Sequence, residues 1–125
     1  MISKKLLEQA IGDEYRDRLV DWMQIEDNYL CTYYDCGKYD LQGRPTGLGI
    51  EINVYELAYK CKEFLRKRYG LTVTTGRFNV NFYTAVVYIE GREVDDYQGT
   101  TELDAIEKVY KWIMESIKEK QNDNN

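Results

Sequence analysis

A chain of 125 residues, 43% apolar and 31% charged, is sized for one core and is too short for two. No apolar run reaches the ~18 residues of a membrane span, and the Met-Ile-Ser-Lys-Lys start lacks the apolar stretch of a signal peptide, so a cytoplasmic protein with no membrane role is expected. A net charge of −5 argues against a free-standing nucleic-acid binder, and the absence of histidine removes the commonest general base and the commonest metal ligand.

In chain order, Ser3 to Ile11 reads as a short helix with Leu6, Leu7, Ala10 and Ile11 on one face and Gly12 as its stop. Residues 18–25 fit helix or strand. The turn-like Glu26-Asp27-Asn28 ahead of the plainer strand 29–35 favours strand, and hence a hairpin. Residues 36–49 hold four of the nine glycines and the only proline, Pro45, and read as one long irregular stretch, with Ile50 to Ile52 returning to the sheet. Three cysteines without framework spacing (Cys31, Cys36, Cys61) are expected as reduced thiols.

Asn53 opens the best-defined helix, because its side chain can accept the orphan N–H of Glu56. Leu57, Ala58, Cys61, Phe64 and Leu65 follow helical spacing, and Gly70 suits a left-handed C-cap. Leu71 to Thr75, Asn79 to Glu90 and Arg92 to Tyr97 read as antiparallel strands, turning at Thr75-Gly76-Arg77 and Glu90-Gly91-Arg92. Thr101 caps a last helix whose core face is Leu103, Ile106, Val109, Tyr110, Ile113 and Ile117. The expectation is a single α+β domain over residues 1–120. It comprises a mainly antiparallel sheet with helices packed on it and an α-β-β-β-α unit, and residues 121–125 form a disordered tail.

Two charged clusters stand out. Lys60, Lys62, Arg66, Lys67 and Arg68 form a basic one, partly offset by Glu56 and Glu63. Glu90, Glu93, Asp95, Asp96, Glu102, Asp104 and Glu107 form a larger acidic one. Charge runs commonly serve only as solvated faces. As contact surfaces, the triplet Lys62, Arg66 and Lys67 would meet an anionic partner, and Glu93, Asp95 and Asp96 would meet the basic groove of a nucleic-acid-binding protein such as a nuclease. Tyrosine is abundant, with twelve residues. Tyrosines suit half-buried strands, and those of residues 29–39, Tyr33 and Tyr39 among them, are the alternative contact surface.

Catalytic patterns are absent: there is no phosphate-binding glycine loop opening a helix, no nucleophile elbow and no metal motif, so neither an enzyme nor a cofactor or metal site is expected. The α-β-β-β-α order is shared with the double-stranded RNA-binding domain, which docks phosphates through basic residues opening its second helix. Glu102 and Asp104 stand at that place here and would repel a phosphate.

Residues 52–65 (INVYELAYKCKEFL) and 100–114 (TTELDAIEKVYKWIM) resemble the two helices of small phage and prophage proteins of the phage ABA sandwich type. The resemblance covers roughly the last 75 residues and implies an accessory protein of a mobile element. The function expected on that basis is non-enzymatic binding of a host protein, as in inhibitors of bacterial defence of the anti-CRISPR kind, in the host cytoplasm. Two other functions remain open: sequestration of a nucleotide signal by a homodimer, and RNA binding through the Lys60–Arg68 face.

Overall fold

The computed structural model describes residues 2–15, 19–43 and 45–123. Within these, the side chains of 13–15, 19–22, 33–39, 45–48 and 122–123 lie outside the description. The chain is α+β and divides into two compact units, residues 4–61 and residues 1–3 with 62–125.

In the unit of residues 4–61, helix α1 (Lys4–Tyr15) is followed by strands β1 (Leu19–Glu26), β2 (Tyr29–Tyr39) and β3 (Pro45–Asn53), which form an antiparallel sheet in the order β1-β2-β3. Residues 19–25 thus lie on the expected strand, residue 18 being outside the described residues, and Asp27, at φ 55°, makes the turn to β2. Leu30 pairs with Ile52 and Thr32 with Ile50, and all four are buried, which sets the inward face. Leu6, Leu7 and Ile11 of α1 are buried to 1% exposure or less. At ~1.5–3 kcal/mol for each such side chain, they outweigh the ~1 kcal/mol that Gly12 costs inside the helix, so α1 runs past the expected stop.

The irregular stretch expected over 36–49 is instead mostly paired backbone. β2 continues to Tyr39, β3 begins at Pro45, and the two meet around a short turn. There Asp40 accepts the Gln42 N–H on its side chain (2.9 Å) and the Gly43 N–H on its carbonyl (3.0 Å), with Gly43 at φ 78°. A register shift between Tyr34 and Lys38 breaks the alternation that would have marked the strand, and β3 lies at the sheet's edge, where a proline costs no ladder bond.

Helix α2 (Val54–Tyr69) begins as expected: Asn53 Oδ1 accepts the N–H groups of Tyr55 (2.9 Å) and Glu56 (3.4 Å). It ends at Gly70, at φ 70°, whose N–H reaches the Arg66 carbonyl at 3.0 Å. Leu57, Ala58, Cys61 and Leu65 are buried at 1% or less.

In the second unit, strands β4 (Thr72–Asn79), β5 (Phe82–Ile89) and β6 (Arg92–Gly99) form a separate antiparallel sheet, ordered β4-β5-β6 and followed by helix α3 (Glu102–Asp123). The expected α-β-β-β-α order is present, with its strands in a sheet of their own. The turn expected at Thr75-Gly76-Arg77 is not there. Gly76 pairs with Thr84 inside β4, and the chain reverses at Val80-Asn81, where Asn79 Oδ1 takes the Asn81 N–H at 2.7 Å. The β5–β6 reversal is where it was expected, with Glu90 at φ 51° and Gly91 at φ 78°, as a two-residue hairpin with both residues left-handed.

α3 starts on Thr101, whose hydroxyl accepts the Asp104 N–H at 3.1 Å. It buries Leu103, Ala105, Ile106, Val109 and Tyr110 against the sheet face carrying Val73, Ala85 and Val87. Gly99 is required here by close approach, since a Cβ on it would lie 2.5 Å from the Ala105 nitrogen. The helix continues through Asp123, three residues into the stretch expected as a tail.

Candidate docking face

Pairing across β4-β5-β6 places the side chains in rows. Val73, Ala85 and Val87 face inward, and Tyr97 on that side meets Trp112 of α3 with ring centroids 6.3 Å apart. The opposite face carries one row of Thr74, Val86 and Asp96 and a second of Gly76, Thr84 and Gln98. Glu93 pairs with Tyr88 farther along. Thr74, Gly76, Phe78, Glu93, Asp96 and Gln98 are all exposed, so this face is uncovered.

A groove of about 450 Å³ opens on it, lined by Thr74, Thr75, Gly76, Arg77, Phe78, Thr84, Val86 and Asp96. Gly76 makes the gap: a Cβ built there meets nothing within 4 Å. The Phe78 ring, 75% exposed, forms a wall and stacks on Phe82 at 5.3 Å. Arg77 turns its guanidinium to the carbonyls of Asn79 (3.3 Å) and Val80 (3.4 Å). The Thr84 hydroxyl oxygen is buried and, among the described residues, has no hydrogen-bond partner.

The structure divides the expected acidic triplet. Glu93 and Asp96 stand exposed on the open face, and among the described residues neither carboxylate has an ion-pair partner. Asp95 faces the other way and accepts the Tyr97 hydroxyl at 2.9 Å. Burial first, and then Asp95, push the Tyr97 phenol up to about 12.

The basic triplet is also unlike a free patch. Lys62 donates to Thr75 Oγ1 at 3.0 Å and lies 3.5 Å from Glu102, whose carboxylate also takes the Thr75 hydroxyl. This knot ties α2, β4 and the first turn of α3 together. Arg66 makes two bonds to Glu63 (2.9 and 3.2 Å), which hold that carboxyl below its usual range, and Lys67 stands 4.0 Å from the same group. Tyr33 and Tyr39 lie on β2, opposite Gly49 and Pro45, and their side chains fall outside the description.

Sequence reading missed Gly76 and Phe78 as part of this face, because a turn at Gly76 removes the β4 half of it. The available signal was a glycine between Thr-Val-Thr-Thr and Arg-Phe, where a strand glycine marks an open slot or a close backbone approach. Among the described residues no helix is long and apolar enough to cross a membrane, and no group of three or more His, Cys, Asp and Glu is placed to hold a metal ion. Comparison with protein-family models, curated proteins and solved structures finds no match to this chain.

Proposed function

We propose that the chain is a non-enzymatic, phage-type protein-binding module that inhibits a bacterial defence protein in the host cytoplasm, docking on that protein's basic groove through the β4-β5-β6 face. One observation carries the reading: among the described residues Glu93 and Asp96 have no ion-pair partner, and both are exposed on an uncovered sheet face whose groove Asp96 lines. Apolar area supplies affinity at such a face, while unpaired rim charges steer encounter with an oppositely charged partner. The basic triplet supports an anionic partner less well, since carboxylates of the same unit already hold Lys62 and Arg66.

The test is affinity capture from a bacterial lysate, with mass spectrometry for proteins and extraction for bound nucleotides. Association rates are then measured with the captured protein. A captured basic nuclease whose association slows about tenfold for Glu93→Lys/Asp96→Lys at low salt is the expected result. A released nucleotide, or duplex RNA bound with submicromolar affinity, overturns it.

A further inference from the structure

We infer that the groove at Gly76 is a receptor for one arginine side chain, presented by an extended basic segment of the protein partner. The inference rests on the docking reading above and names what that face recognises. Three observations converge on a guanidinium. First, the Asp96 carboxylate sits at the groove with no cation or donor of its own among the described residues. A carboxylate in that state presents acceptors to a planar, multiply donating cation. Second, the walls are apolar: Val86 and the Phe78 ring offer contact to an alkyl stem, and an aromatic face attracts a cation laid over it. The stacking of Phe78 on Phe82 holds that ring in place. Third, Arg77, which among the described residues is the one cation lining the groove, is bonded to the turn carbonyls, so it fixes the β4–β5 reversal and does not neutralise Asp96. An anionic ligand would have to displace those bonds and approach a carboxylate. A purely apolar side chain would desolvate Asp96 without compensation.

The row geometry suits one side chain from a strand-like segment. Gly76 and Thr84 are paired neighbours, and the missing side chain at Gly76 leaves a slot between Thr74 and Phe78, which lie on either side of it along β4. Depth at this point depends on a glycine that the backbone does not require, since Gly76 is not among the positive-φ glycines and has free space at its Cβ.

The experiment is amide NMR titration of the full chain with N-acetyl-arginine methylamide, and with the neutral citrulline analogue as control. The arginine probe should give saturable shifts at Thr74, Gly76, Thr84, Val86 and Asp96, and citrulline should give none. Asp96→Asn should weaken the arginine probe about tenfold, as the loss of one charge-assisted contact implies. Gly76→Val should abolish binding with the fold intact, and Gly76→Ala should fall between. Equal response to citrulline, full binding by Gly76→Val, or shifts confined to another surface overturns the inference. If Glu93→Lys/Asp96→Lys slows a partner while the arginine probe leaves these amides unmoved, the docking face stands and the arginine slot falls. If the probe binds and no basic partner associates, the slot stands and the proposed function falls.

Discussion

At the residue scale, charged and polar side chains of the second unit differ by what already holds them. Lys62 is 27% exposed and has two partners, whereas Lys67 is 71% exposed and only grazes Glu63. Lys62→Glu should therefore cost about 2 kcal/mol, because it sets a second carboxylate against part-buried Glu102, while Lys67→Glu should stay within ~0.5 kcal/mol. Urea midpoints of the two variants check this, and equal midpoints would show that the knot contributes nothing. Thr84 is the opposite case, a buried hydroxyl with no hydrogen-bond partner among the described residues. Thr84→Val keeps the shape and removes the unpaired group, so it should raise stability by about 1 kcal/mol. A lower urea midpoint would mean that the hydroxyl has a partner. Tyr97 adds a pH dependence. Its phenol is raised from its ordinary value near 10 to about 12, so the fold favours the neutral form. The stability this brings is fully present below pH 10 and is lost as pH climbs to 12. Tyr97→Phe should flatten that part of the stability profile and remove one tyrosine from the most alkaline step of a 295 nm absorbance titration. An unchanged step would place the high-titrating phenol elsewhere.

At the element scale, what was legible was whatever local chemistry controls. Asn53, Gly70 and Thr101 cap helices because orphan N–H and C=O groups need partners wherever the helix packs, and all three do so here. What escaped were features set by pairing across strands. The β2–β3 hairpin is hidden by its register shift, and Gly76 looks like a turn in the sequence although its strand runs through it. The candidate face escaped with it, since a face of a sheet depends on the register of three strands. Strand alternation alone sets Asp95 and Asp96 on opposite faces, but that Glu93 shares the face of Asp96 is not legible, because a bulge between Val87 and Tyr88 shifts the alternation on β6. The β5–β6 turn retains a local fault: Glu90 adopts φ 51°, a conformation that costs a β-carbon residue ~1–2 kcal/mol and that asparagine tolerates better. Glu90→Asn should raise the melting temperature by several degrees, and Glu90→Val should lower it. The reverse order in thermal melts would show that the turn does not hold this geometry in solution.

At the scale of the whole molecule, each unit has its own buried residues and the second presents its own open face, so damage to a core and damage to a contact surface should separate cleanly. Leu57, in the first unit, and Ile106, in the second, are both 0% exposed. Leu57→Asp and Ile106→Asp each place an unpaired carboxylate where it cannot reach water, which costs more than ~4 kcal/mol and approaches the whole stability of a small domain. Circular dichroism should show each variant unfolded or melting far below the parent. Glu93→Lys/Asp96→Lys alters only exposed groups and should melt within a few degrees of it. The same double variant should, however, lose most of the ionic-strength dependence of association with a basic partner. At 0.15 M salt the Debye length is ~8 Å, so charges on an open face steer encounter chiefly at low salt. Plotting association rate against ionic strength for parent and variant tests this. Curves that converge at high salt and diverge at low salt place the steering charge on β6, and parallel curves place the contact on another surface.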